Sequence, residues 1–215
     1  MTLASTYTEL GELDIATTTF SLAELQRFLQ SESEIVTMAQ LYMQRDLPYQ
    51  AGTLLDAEMT AGRIDRSEDN LRLLAQAWSF AHETERTLAV LAYATTISDD
   101  GELSVRLGNE YLNMGQYREC AESIGDGIDK GGIRNPDWAY VSLGMCRYNL
   151  KQYDRAEAAF EEAKKAERSQ RIANEWLRVI SLDRIRDQEI AEAETNSRQQ
   201  LERLAERRRS IRNSL

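Results

Sequence analysis

One feature constrains this chain before any other: small residues recur along it at nearly fixed intervals. An apolar residue followed by Ala or Gly stands at Leu3-Ala4, Met38-Ala39, Leu74-Ala75, Leu107-Gly108 and Leu143-Gly144, in steps of 35, 36, 33 and 36 residues. Three residues after the small residue come Tyr7, Tyr42, Trp78 and Tyr111; Arg147 breaks the column, with Tyr148 beside it. Twelve residues after it come Ala16, Ala51, Thr87, Cys120 and Ala156, all small, and four further on Phe20, Leu55, Leu91, Ile124 and Phe160, all large and apolar. A period of this length marks a stack of helix-turn-helix units, none of which can bury its apolar face alone. The small residues mark where two helices cross closely, and the large ones fill the space around the crossings.

The punctuation agrees. Only Pro48 and Pro136 could interrupt helices. Asn135-Pro136-Asp137 predicts a helix start and Gly131-Gly132 a helix end, with further junctions at Asp99-Asp100-Gly101 and Ser67-Glu68-Asp69.

These columns resemble the tetratricopeptide repeat family, whose units follow a W-x2-L-G-x2-Y, A-x3-F pattern. The best match runs through Tyr140, Leu143, Gly144, Leu150, Tyr153, Ala156, Phe160 and Ala163, and Leu150-Lys151-Gln152-Tyr153-Asp154-Arg155-Ala156 is close to the family's inter-helix turn. The unit around Leu107, Gly108, Tyr111, Gly115, Tyr117 and Cys120 is nearly as good, and those around Ala39 and Ala75 are degenerate. The resemblance implies an all-α, right-handed superhelical solenoid. About five units span residues 1–168, followed by a capping helix at 169–183 and a charged helical tail at 184–215. In the cap, Ile172, Trp176, Val179 and Ile180 share one helical face. In the tail, Leu201, Leu204 and Ile211 make only a thin apolar stripe, expected to be solvated, with docking on a partner or pairing with a second copy as the alternative. The first unit starts only three residues before Ala4, so the chain reads as part of a longer array, with any export signal upstream.

The resemblance also implies where a partner would bind. The groove of such arrays is lined by the first helix of each unit. Counting from the small residues gives Gln40, Met43 and Gln44; Arg72, Gln76 and Phe80; Arg106, Asn109 and Asn113; and Met145, Tyr148 and Asn149. Amides can hydrogen-bond an extended backbone, while Met and Tyr accept varied side chains. The family's carboxylate clamp is not expected: Asn109 matches its Asn, but Val105 stands where its Lys should be, and Trp138 and Ser142 replace its basic groups. A narrower similarity joins Ala173-Asn174-Glu175-Trp176-Leu177-Arg178-Val179-Ile180 and the charged tail to repeat proteins associated with bacterial TonB systems. It implies a periplasmic accessory protein with a TonB-complex subunit as partner; the alternatives are a cytoplasmic location and an oligomerisation module joined through the C-terminal helix.

Charge and chemistry exclude other classes. The net charge of -10 disfavours nucleic acid, and its distribution is uneven, -12 over residues 1–183 and +2 over 184–215. No apolar run is long enough to insert in a membrane. His82 sits in a turn beside Glu83 without a nucleophile or orienting group, so it reads as a surface residue, and one His with two Cys makes no metal site. Cys120 and Cys146 read as small core residues, with a disulfide open to them in an oxidising compartment. Gly125-Asp126-Gly127 lies in a helical column and is no phosphate loop. The expectation is a binding scaffold that is not an enzyme and needs no cofactor.

Overall fold

The computed structural model describes residues 6–7, 10–12, 15–16, 18–19 and 31–213, with side chains through residue 205. The described residues form helices and no strand: α1 (Glu32–Gln44), α2 (Pro48–Thr60), α3 (Glu68–Phe80), α4 (Thr84–Ile97), α5 (Glu102–Asn113), α6 (Tyr117–Lys130), α7 (Pro136–Asn149), α8 (Tyr153–Ala163) and α9 (Glu167–Asn213). The chain divides into two compact units, Met1–Arg134 and Asn135–Leu215.

In the N-terminal unit, helices pair as the hairpins α1–α2, α3–α4 and α5–α6, and successive hairpins stack through α2 on α3 and α4 on α5. Ile35, Met38, Leu41, Leu55, Trp78, Leu91 and Leu103 are fully buried at the centre. Most of the first predicted repeat, Phe20 included, lies outside the described residues. Of its columns, Ala16 is fully buried and Tyr7 packs on the same core.

One turn geometry repeats. Two residues after each first helix ends comes a residue in the left-handed region: Asp46 (φ 55°), His82 (φ 58°) and Gly115 (φ 72°). The next residue's amide reaches back into the helix, from Leu47 to the Tyr42 carbonyl, Glu83 to Trp78 and Gln116 to Tyr111, each at 2.9 Å. These bonds satisfy carbonyls that a helix end would otherwise orphan. The stop is sharp enough that the second helix begins within a few residues.

The close approaches predicted from the small columns are present. A Cβ on Gly108 would collide with Ile124 on α6, and one on Gly101 with the backbone of Gly127. The latter contact explains why residue 127 is a glycine. The caps are mixed. Ser31 makes a capping box with Glu34, and Ser67 accepts the Asn70 amide at 3.4 Å. Asp100 accepts the Glu102 amide at 3.0 Å, while Asn135 leaves its helix uncapped by its side chain despite Pro136 at the first turn.

In the C-terminal unit, α7 and α8 form a fourth hairpin of the same design, with Lys151 (φ 59°) at the turn and Gln152 bonding back to Arg147 at 2.9 Å. The Phe160 ring lies where a Gly144 side chain would be, 2.6 Å from an added Cβ. α9 then packs on both α7 and α8. Ala173 and Ile180 are buried, and Trp176 stacks on Phe160 with centroids 5.6 Å apart and 4° between planes. Ser169, fully buried, donates to the Ala163 carbonyl at 2.6 Å. Asp137 is 6% exposed and accepts from Arg168 through both carboxylate oxygens, one bond being 2.8 Å from Nε.

The expected separation of a cap at 169–183 from a tail at 184–215 has no counterpart in the backbone. A single helix of 47 residues crosses that point. Between Met145 and Leu215 the sequence holds neither Gly nor Pro, so nothing stops the helix once it has started. The change at 183 is one of burial: beyond Asp187 every residue through Ala205 is exposed.

Candidate partner-binding groove

The first helices carry all the predicted groove residues, and the two units treat them differently. In the N-terminal unit, the ends of α1, α3 and α5 converge on a cleft of about 710 Å³. Met43, Phe80 and Asn113 line it, joined by Ser79, Glu110 and the turn residues Asp46 and His82. Phe80 is 60% exposed, an aromatic ring left in water beside polar groups. Ser79 donates to Glu110 at 3.0 Å, which ties α3 to α5 across the floor. Gln40 and Gln44 are exposed on α1, Gln76 is half-buried on α3 and Asn109 half-buried on α5.

The two predicted arginines differ. Arg72 is bonded to Glu68 and to Asp100, the latter at 3.1 Å. Burial pulls its pKa down, but the Glu68 hydrogen bond and the Asp100 charge outweigh burial and hold it above its ordinary value. Arg106 forms no ion pair among the described residues. Burial, and then repulsion from Arg72, hold its guanidinium below its ordinary value. Glu102, four residues before it on α5, instead accepts the Arg134 amide at 3.1 Å.

In the C-terminal unit the equivalent face is covered. Tyr148 is T-shaped to Trp176 of α9 at 5.1 Å, and its hydroxyl donates to Asp183. That hydrogen bond, with burial, raises the phenol above its ordinary pKa. Tyr153 donates to Asp187 at 3.2 Å, and Arg184 bridges Asp154 and Glu157 at 2.6 and 2.9 Å. Met145 packs on this core, and the Asn149 amide donates to the Met145 carbonyl at 2.9 Å. Tyr148 therefore departs from the expectation of an open groove residue: its ring and hydroxyl are engaged by α9.

Asp46, Glu110 and His82 line the cleft without being among the predicted groove residues, as does Ser79, the residue before Phe80 on α3. A sequence signal existed for two of them. Asp46 and His82 hold the same place in successive turns, 36 residues apart, as Ala39 and Ala75 do. His82 is exposed, as expected. Cys120 and Cys146 are both fully buried, and neither is a free cysteine. Among the described residues there is no cluster of His, Cys, Asp or Glu able to hold a metal ion, and no helix long and apolar enough to cross a membrane.

The class defined by this geometry is the tetratricopeptide-type helical repeat, and residues 139–170 match the model of the tetratricopeptide repeat family. Solved structures share the fold. A crystal structure of MamA aligns with a TM-score of 0.66 and 20% identity, over 79% of this chain and 97% of that one. YrrB, a tetratricopeptide repeat protein with an unusual peptide-binding site, aligns at 0.64 and 15% identity, over 80% of this chain and 87% of that one. The C-terminal part of a repeat-containing protein from Cytophaga hutchinsonii aligns at 0.69 and 12% identity, over 86% of this chain and 71% of that one. No curated protein matches the chain in sequence.

Proposed function

We propose that this chain is a scaffold, not an enzyme, that holds a peptide or helix of a partner protein on the first-helix face of its N-terminal unit. The carrying observation is the cleft in which exposed Phe80 stands beside Met43, Asn113 and Glu110. An apolar anchor among fixed polar groups is what a peptide site needs: the ring and thioether take a side chain, and the amides take backbone. The peptide-binding site of YrrB, on the same fold, supports the reading. The test is selection of peptides from a random library on the full chain. Asn109→Ala combined with Asn113→Ala should weaken the selected peptides at least about tenfold, the cost of losing two amide contacts. Peptides indifferent to both substitutions and to Phe80→Ala would contradict the site.

A narrower reading makes the partner a subunit of a bacterial TonB complex and the compartment the periplasm. Two observations favour it. The segment Ala173–Ile180 that carries the similarity is the part of α9 docked on the last hairpin, and neither cysteine is free, a state that persists in oxidising compartments. Co-purification with a TonB-complex subunit after cross-linking in bacterial cells tests it; recovery from the cytoplasm without such a subunit would contradict it.

A further inference from the structure

Beyond Asp187, α9 leaves the body of its unit with nothing of the described chain covering it. Its apolar residues are not scattered. Ile190, Ala193, Leu201 and Leu204, with the small polar Ser197 at their centre, fall within about a quarter of the helix circumference at 100° per residue. All five are exposed, with Ile190 at 50%, Leu201 at 68% and Leu204 at 56%. Charge is segregated along the same stretch. Residues 188–194 hold three glutamates and no base, whereas residues 195–213 hold six arginines and two glutamates. Isolated charged helices usually satisfy themselves by pairs three or four residues apart. Here Glu189, Glu194, Arg198, Glu202 and Arg203 make no ion pair with any described residue, although Glu194 and Arg198 stand at that spacing.

We propose that two copies of this chain pair antiparallel through residues 188–213. A helix with one acidic end, one basic end and a stripe that is apolar on either side of Ser197 is complementary to itself under a two-fold axis, the symmetry of an isologous dimer. The stripe is symmetric about Ser197. With Ser197 against its own counterpart, Ala193 meets Leu201, a small residue against a large one, and Ile190 meets Leu204. The same register brings Glu194 alongside Arg198 of the second copy, and Glu189 alongside the position of Arg207, on the flanks of the stripe. A parallel pair would lay the acidic segment on its copy and the basic segment on its copy, which like-charge repulsion disfavours. The second copy is thus chosen by charge complementarity over about 39 Å of helix, and the pairing is independent of the groove in the N-terminal unit.

The test uses the full chain, whose native cysteines are buried and not free. Chains carrying Ile190→Cys and Leu204→Cys separately are mixed and oxidised. The expected product is the mixed Ile190→Cys with Leu204→Cys dimer; a dimer of Ile190→Cys with itself would establish a parallel pair and overturn the proposal. Sedimentation equilibrium should show a dimer that weakens in high salt, since the flanking pairs are solvent-exposed and screened. A monomer at every concentration up to about 200 μM would also overturn it. Glu189→Arg with Glu194→Arg should raise the dimer dissociation constant about tenfold at low salt. Adding Arg198→Glu and Arg207→Glu to that chain should restore it to within about threefold, and failure of the fourfold variant to recover would count against the register.

Discussion

Phe80 and Tyr148 are aromatic residues near the ends of first helices, and they have opposite fates. Phe80 stands 60% exposed in the cleft of the N-terminal unit. Tyr148 is held between Trp176 and Asp183. The repeat chemistry is the same in both places, down to the left-handed turn residues His82 and Lys151. The difference lies in the next element of the stack. α9 brings Trp176 and two aspartates onto its hairpin and uses that surface for folding. In the N-terminal unit the helix ends leave Phe80, Asn113 and Glu110 open. A groove residue is therefore defined by the neighbouring element as much as by its own helix.

The largest expected effect breaks the covered side. Trp176→Ala removes a ring that stacks on Phe160 and meets Tyr148, and should cost about 3 kcal/mol by urea denaturation, typical of a large aromatic truncation in a core. It should also free Tyr148, seen as a more accessible phenol in ultraviolet titration.

Next comes the tie between α7 and the start of α9. The Arg168 hydrogen bonds hold the nearly buried Asp137 carboxyl below its ordinary value of 3.8. A depressed folded pKa means stability that is present above the unfolded value and lost as pH falls through the folded one. Arg168→Ala should therefore lower stability at neutral pH and flatten its decline below about pH 4. An unchanged pH profile would show that the pair is not formed.

A smaller effect concerns the turns. His82→Gly relieves a side chain from the left-handed region and should raise stability by about 0.5–1 kcal/mol. Lys151→Gly should do less, because it also removes the Lys151 ammonium from the Tyr153 hydroxyl, 3.0 Å away. Smallest of all, Phe80→Ala should change stability by less than about 0.5 kcal/mol, as expected for a side chain largely in water, while weakening peptide binding.

Much of the architecture was legible in the sequence because repeat packing is written in single residues. Gly144 must be small where Phe160 crosses it, and Leu150-Lys151-Gln152-Tyr153 spells out a turn that the backbone adopts. The extent of α9 was not legible, for a physical reason. The charge balance changes at residue 183, but a helix backbone without Gly or Pro is indifferent to that change. The site was half legible. Counting from the small residues finds Met43, Phe80 and Asn113, because the count stays on one helix face. It does not find Asp46, which enters the cleft from a turn, or Glu110, which lies on α5 beside Asn109 but outside the counted positions. Nor does it reveal that α9 covers Tyr148, a fact set by contacts about 30 residues away.

The most direct test of the open cleft is chemical-shift mapping of the full chain with a library-selected peptide, using labelled methionine methyls, aromatic rings and side-chain amides. Perturbation is expected at Met43, Phe80 and Asn113, with Tyr148 and Trp176 unchanged. Perturbation centred on Tyr148 and Trp176, with Phe80 silent, would show that the partner displaces α9 and that the open cleft is not the binding site.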